Sequence, residues 1–336
     1  MKKLIIPLIL LAVVIGATSV TKRLRREGAA AGWSGQGRAA AQDQLYVEVS
    51  ALGNLDYFND HKLGMQLAGQ IFGVRTEYVG PAGYDMQAMI TAFEQTLAKP
   101  KLRGVVVVGF EDVLIPIINK AVEKGIPVVT VDADLAASKR IAFVGTGNFQ
   151  AGFEGGRKLA SLIGYKGKVG LMTKVGQSNL EERVRGYRAA LGQYNGIEIV
   201  QVCETQSDPI KAAQAATAVL GQHPDLAGLG CVEAAGGVGA ATAVREANLT
   251  GKVKIVAMDR GNEVLQLIKE GTISATVAQQ TALMPIYAVE ILYMLNNHKI
   301  PITSDNAAAG VSGVPRYVDT GVVIVDKSNY EYFVRQ

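Results

Sequence analysis

"GIPVVTVDAD" (residues 125–134) and "KVKIVAMDR" (residues 252–260) share a pattern: an apolar strand that ends in a carboxylate, Asp132 in one and Asp259 in the other. Val128, Val129 and Val131 have no polar alternation, which predicts a strand covered on both faces; Ile255, Val256 and Met258 repeat the feature. Each segment follows a helix end and a turn, "AVEKG" before the first and "AVREANLTG" before the second. Two similar α/β units are therefore expected, each a parallel sheet with helices on both faces. Ligands of open parallel sheets bind outside the carboxyl ends of the strands, so two facing sheets would aim both acids into one cleft. The alternative is that each Asp caps a helix or shapes a turn.

The rest of the chain fits this frame. From Leu45 onward strands such as "LYVEVS", "GVVVVG", "KVGLMTK" and "LAGLGCVE" alternate with helices such as "YDMQAMITAFEQTLAK" and "PIKAAQAATAVLGQ". In the first helix, "YFNDHKLGMQLAGQIFG", Leu63, Leu67 and Ile71 are expected to form the apolar face. A length of 336 residues suits two domains. With 19% charged and 49% hydrophobic residues, the composition is globular and core-rich. The net charge of +4 arises partly from the amino-terminal segment, leaving no basic surface for nucleic acid.

The amino terminus reads differently. Two lysines precede an apolar run from Leu4 to Val20, followed by "TKRLRR", so residues 1–26 are expected to be a secretory signal or an uncleaved membrane anchor. Either places the protein outside the cytoplasm. Residues 27–44, small, polar and glycine-rich, read as a flexible linker holding the single tryptophan, Trp33.

Enzymatic readings fare worse. "CVEAAGGVGAATAV" (residues 231–244) approaches a dinucleotide-binding fingerprint, but Thr242 stands where its third glycine belongs. His61, His223 and His298 are scattered without spaced partners and are expected at the surface; no metal or other cofactor is implied.

Several further segments carry a resemblance: "NLDYFNDHKLG" (54–64), "AFVGTGNFQAG" (142–152), "ERVRGYRAAL" (182–191), "TQSDPIKAAQA" (205–215), "GTISATVAQQ" (271–280) and "VDTGVVIVDK" (318–327). In order and spacing, with the two strand-end aspartates, they resemble the type I periplasmic binding proteins, in the ribose-binding-like branch that serves sugar ABC transporters. The resemblance covers about Leu45 to Phe333. It implies two doubly wound α/β lobes joined by three crossover strands, near Thr146–Asn148, near Gln279 and near Val318–Thr320. The amino-terminal lobe would comprise residues 45–146 plus 280–318, the carboxyl-terminal lobe 147–279 plus 319–336. The strand order 2-1-3-4-5 that it implies would set "KVGLMTK" between the strands holding Cys203 and Cys231, leaving both thiols free.

Carried over by position, the family's ligand contacts fall on Tyr57 and Phe58 (an aromatic pair covering a sugar ring, or else a hydrophobic staple for the helix), Asp132, Asp259 and Gln279. Arg183 matches the ligand-binding arginine, with Arg185 a neighbouring candidate. Ala133 and Asp134 depart from the pattern after the first aspartate. Glu233 stands in place of an asparagine, so Asp134 and Glu233 join the candidate set and make the pocket more acidic. The implied activity is cleft closure by a monomer around a small sugar or polyol. The implied partner is an ABC-transporter permease or, if the anchor is retained, a membrane sensor kinase.

Overall fold

The computed structural model describes residues 42–298 and 300–334; the expected signal or anchor and most of the linker, with Trp33, lie outside the described residues. Among the described residues no helix is long and apolar enough to cross a membrane. Gln44, at the end of the expected linker, is held firmly. Its side-chain amide donates to Asn297 Oδ1 at 2.7 Å and accepts from the Asn297 amide at 3.0 Å.

Two six-stranded sheets organise the chain. The first contains β1 (Leu45–Val49), β2 (Arg75–Val79), β3 (Leu102–Val108), β4 (Val128–Val131), β5 (Ala142–Gly145) and β11 (Tyr317–Asp319), in the order β2-β1-β3-β4-β5-β11 and parallel throughout. The second contains β6 (Gly167–Thr173), β7 (Ile197–Glu204), β8 (Leu226–Cys231), β9 (Lys254–Met258), β10 (Ala275–Gln279) and β12 (Val322–Asp326), in the order β7-β6-β8-β9-β10-β12. Only the β10–β12 pairing in it is antiparallel. The 2-1-3-4-5 order expected for each lobe is present twice.

The uninterrupted valines have their explanation in the core. Val47, Val49, Val105, Val107 and Val128 pack under one layer of helices. Tyr46, Val106, Val108, Val129 and Val131 pack under the other. With helices on both faces, every position of a central strand is interior. On the first face lie α2 (Met86–Leu97) and α3 (Ile115–Glu123); on the second lie α1 (Asn59–Phe72) and α9 (Leu283–Asn297). The second sheet is covered by α4 (Asn148–Leu162) and α5 (Ser178–Leu191) on one side. Helices α6 (Pro209–Gln222), α7 (Ala234–Glu246) and α8 (Asn262–Glu270) cover the other.

Two expectations fail here. The Leu63–Leu67–Ile71 stripe of α1 faces outward, Leu63 and Ile71 being 48% and 60% exposed. The buried face is His61, Gly64, Met65 and Ala68, because α9 crosses α1 so closely that a Cβ on Gly64 would stand 2.3 Å from the Ala282 carbonyl oxygen. A helix seeking the closest approach turns its smallest residue to its neighbour, and here that outweighs the leucine stripe. Nor is His61 a surface residue. It is fully buried, with Nδ1 2.6 Å from Glu48 Oε1 on β1. His298 is exposed and His223 partly so. The glycines of "CVEAAGGVGAATAV" lie inside α7, not in a phosphate-cradling loop.

Cys203 and Cys231 are buried free thiols, each opposite Met172 of β6, one on either side of that strand. Strands two places apart are separated by about 9–10 Å, beyond the roughly 4.4–6.8 Å that a disulfide needs between Cα atoms. Burial pushes the Cys203 thiol up to about 11. Cys231 is raised by burial and then by nearby Glu233. Thiol labelling is therefore expected to modify neither cysteine in the native protein and both in denaturant without reductant; an intramolecular bridge found by mass spectrometry would contradict the strand order.

Candidate functional site

The carboxyl ends of β4 and β9 carry the matched acids, and both use the same backbone device. Asp132 and Asp259 have left-handed φ values of 64° and 67°. The N–H of Asp132 donates to the Val144 carbonyl of the neighbouring strand, and that of Asp259 to the Val277 carbonyl. Asp tolerates this conformation better than most side chains. Neither residue caps a helix; α8 begins after Gly261. The turn therefore releases each carboxylate from its sheet at the point where a parallel sheet receives ligand.

Around these acids the structure gathers Tyr57, Arg183 and Gln279. The Tyr57 hydroxyl donates to Asp132 Oδ1 at 2.6 Å, and the Gln279 amide to Asp259 Oδ1 at 2.8 Å. Gln279 Oε1 accepts from Thr146 Oγ1 at 2.7 Å, which joins the first two chain crossings beneath Asp259. Arg183, 6% exposed, donates from Nε to Asn148 Oδ1 and from Nη1 to the Val232 carbonyl. Its position depends on an unusually close helix pair. A Cβ on Gly152 of α4 would come 1.9 Å from the Arg183 carbonyl oxygen, and one on Gly186 of α5 2.1 Å from that of Phe149. The Tyr57 hydroxyl is held well above its ordinary pKa, first by burial and then by the charges of Asp132 and Asp259, with Arg183 pulling downward. One tyrosine thus senses acids from both sheets and the arginine.

The other candidates have different surroundings. Phe58 meets Tyr57 edge-on at a centroid distance of 5.1 Å but points into the core: it is 2% exposed and also meets Phe110 and His61 edge-on at 5.9 and 5.1 Å. The expected aromatic pair therefore offers one ring, Tyr57, toward the acids. Asp134 turns away to Arg140 and to the Thr130 hydroxyl. Glu233 is the N-cap of α7, its two oxygens accepting from the Ala235 N–H and the Thr205 hydroxyl, each at 2.8 Å. Arg185 pairs with Glu182 and lies over the Phe149 ring, so Arg183 and not its neighbour stands among the buried polar groups.

Sequence reasoning placed Thr146 and Asn148 at a crossing but named neither as a site residue; their polar side chains at that crossing were the available clue. Three hydrogen-bonded contacts knit the crossings together. Gly147 N–H donates to Asp319 Oδ1 at 2.7 Å, Gln280 Nε2 to the Thr320 carbonyl at 2.6 Å, and Thr320 N–H to the Gly145 carbonyl at 2.9 Å. Among the described residues no group of His, Cys, Asp and Glu side chains is placed to hold a metal ion.

Comparison with known proteins shows the family and the fold. The D-allose-binding periplasmic protein of Escherichia coli K12 is 29% identical over 255 residues, 73% of this chain and 81% of that protein. The structure of AraP, an arabinose-binding protein from Geobacillus stearothermophilus, superposes with a TM-score of 0.82 at 36% identity, covering 87% of this chain and all of that one. A mutant XylFII–LytSN complex contains a chain that superposes with a TM-score of 0.69 at 28% identity, covering 85% of this chain and 98% of that one. A family model described as the periplasmic binding protein domain matches residues 46–300. With two doubly wound lobes, three crossings and matched strand-end acids, the chain belongs to the periplasmic binding protein family, in its type I form.

Proposed function

We propose that the chain captures one small, uncharged monosaccharide or polyol between its lobes, outside the cytoplasm, and delivers it as a monomer to the permease of an ABC transporter. The observation that carries this reading is the pair Asp132 and Asp259, presented on identical left-handed turns from two different sheets. Carboxylates accept hydrogen bonds from hydroxyl groups, each worth roughly 1.5–3 kcal/mol. Tyr57 supplies an aromatic face beside them, and a sugar's C–H surface suits such a face. Arg183, the cation beside these groups, already donates to Asn148 and Val232, so the site is not built around a ligand's negative charge. AraP and the allose-binding protein, both sugar binders by name, support the class. A ligand that touches both lobes shifts the open–closed equilibrium by its additional contacts in the closed form.

A thermal-shift screen of monosaccharides, polyols, sugar acids, amino acids and polyamines is expected to show stabilisation by one or a few monosaccharides, with calorimetry giving one ligand per chain. Stabilisation by amino acids alone ends the sugar reading. The XylFII–LytSN complex favours a second output, in which the loaded protein reports to a membrane-bound partner and residues 1–26 remain as its anchor. Sequencing the mature amino terminus separates the two: a cleaved terminus supports a diffusible transport component, a retained one the sensor.

A further inference from the structure

Among the described residues, the ion pair of Asp60 and Arg260 joins the lobes outside the ligand-facing groups. Asp60 lies on α1, one turn beyond Tyr57, and is 6% exposed. Its Oδ2 accepts from Arg260 Nη2 at 2.5 Å and from the Thr281 hydroxyl at 2.6 Å. Arg260 directly follows Asp259 on the loop leaving β9, and its Nη1 donates to the Phe333 carbonyl at 3.1 Å in the carboxyl-terminal turn. Thr281 directly follows the second chain crossing. A single carboxylate of the first lobe therefore holds the loop that presents Asp259, the hinge, and, through Arg260, the end of the chain. The arginine side chain is 23% exposed and the aspartate 8%, so water screens the pair only in part.

We propose that Asp60 and Arg260 form an interlobe latch, a positioning pair that touches no ligand but sets the closed fraction and hence the apparent affinity. The inference rests on the cleft reading above. Because Asp60 sits beside Tyr57 and Arg260 beside Asp259, a rotation that parts these ligand-facing residues also pulls the pair apart. Thr281 makes that separation tolerable: on the hinge and 2.6 Å away, it leaves the buried Asp60 carboxylate a donor when Arg260 departs. Ligand affinity scales with the population of the binding-competent state, so a latch that favours closure tightens binding without a ligand contact.

The test compares the full chain with Arg260→Ala and Arg260→Lys, using D-allose, D-ribose and arabinose one at a time in stopped-flow and calorimetric titrations. For whichever sugar binds, Arg260→Ala is expected to raise Kd about tenfold, which is about 1.4 kcal/mol. Most of the change should fall in the dissociation rate, with Arg260→Lys intermediate. Raising NaCl to 1 M should weaken wild-type binding and leave Arg260→Ala nearly unmoved. A purely local packing role would not give that salt dependence. Unchanged Kd and dissociation rate overturn the latch. If none of these three sugars binds the wild type, the thermal-shift screen decides the sugar reading, and the latch is judged by small-angle X-ray scattering of the ligand-free chain. There Arg260→Ala must enlarge the radius of gyration, and an unchanged radius overturns the proposal.

Discussion

Replacing His61 with alanine is expected to lower the unfolding free energy by about 3–5 kcal/mol, the range for removing one partner of a buried ion pair. His61 and Glu48 are both fully buried, at 2.6 Å. Glu48 has no exit, because β1 lies inside the edge strand β2, second in a six-stranded sheet covered on both faces. Its Oε2 and the histidine Nε2 have no hydrogen-bond partner, so the pair already stands on a single contact. Removing the imidazole leaves a carboxylate in the core with a cavity beside it. The double variant Glu48→Leu with His61→Phe should recover most of the loss, since a well-packed apolar pair often substitutes for a buried ion pair. Urea titration at constant m-value measures both; a His61→Ala loss below about 1 kcal/mol would show that the pair carries no charge.

The same pair gives a pH dependence of definite sign. Burial pulls the His61 pKa down, but the charge and hydrogen bond of Glu48, with Asp132 and Asp60 adding to them, outweigh it, and the net shift is upward from 6.5. The folded chain therefore keeps this proton to higher pH than the unfolded chain. The stabilisation is fully present below about pH 6.5 and is lost as the pH rises through the folded-state value. Wild-type stability should decline over that window, and the Glu48→Leu/His61→Phe variant should lack this component.

Asp259→Asn and Asp132→Asn are each expected to weaken sugar binding between about tenfold and a hundredfold, with unfolding nearly unchanged. Loss of the charge on a hydroxyl acceptor removes roughly 1.5–3 kcal/mol. Asparagine is the informative replacement, because both positions are left-handed and Asn tolerates that backbone where alanine adds strain of its own. Asp132→Asn also weakens the acceptor of the Tyr57 hydroxyl, so the Tyr57 ring should lose some of its fixed orientation. Normal binding by either variant in calorimetry would show that its carboxylate does not contact ligand.

How much of this was legible in the sequence depended on how local the cause was. Alternating helices and apolar strands fixed the class, and the repeated apolar-strand-then-Asp pattern located the two acids, because strand and turn are made by adjacent residues. The left-handed turn was not visible, since many residues can follow a strand and only the backbone shows φ. The orientation of α1 was misread because the helix that covers it, α9, comes from the other end of the chain; the leucine spacing alone cannot show that Gly64 is needed at the crossing. Within "LYVEVS" nothing local marks Glu48 as buried. Its burial follows from β1 being an interior strand covered on both faces, and its partner is 13 residues away on another element. The Asp60–Arg260 pair spans 200 residues and had no local signature at all. Phe58 and Asp134 were placed by motif position, which gives the neighbourhood of a side chain but not its direction.

The return of the chain to its first sheet has a consequence for how the molecule is made. The core over β1, β3 and β4 is completed by Met284, Ala288, Val289 and Leu292 of α9, and the edge of that sheet by β11. A ribosome releases these pieces only after all of β6 to β10 has emerged. The amino-terminal lobe, first to be synthesised, thus waits for its full interior until nearly all of the second lobe has emerged, and the second lobe receives its last strand, β12, directly after β11. Domains that emerge first normally fold first; here the first lobe loses that lead, and the two are completed almost together. During translation the nascent chain carries an open apolar flank where α9 will dock, a natural surface for chaperones that hold a polypeptide unfolded.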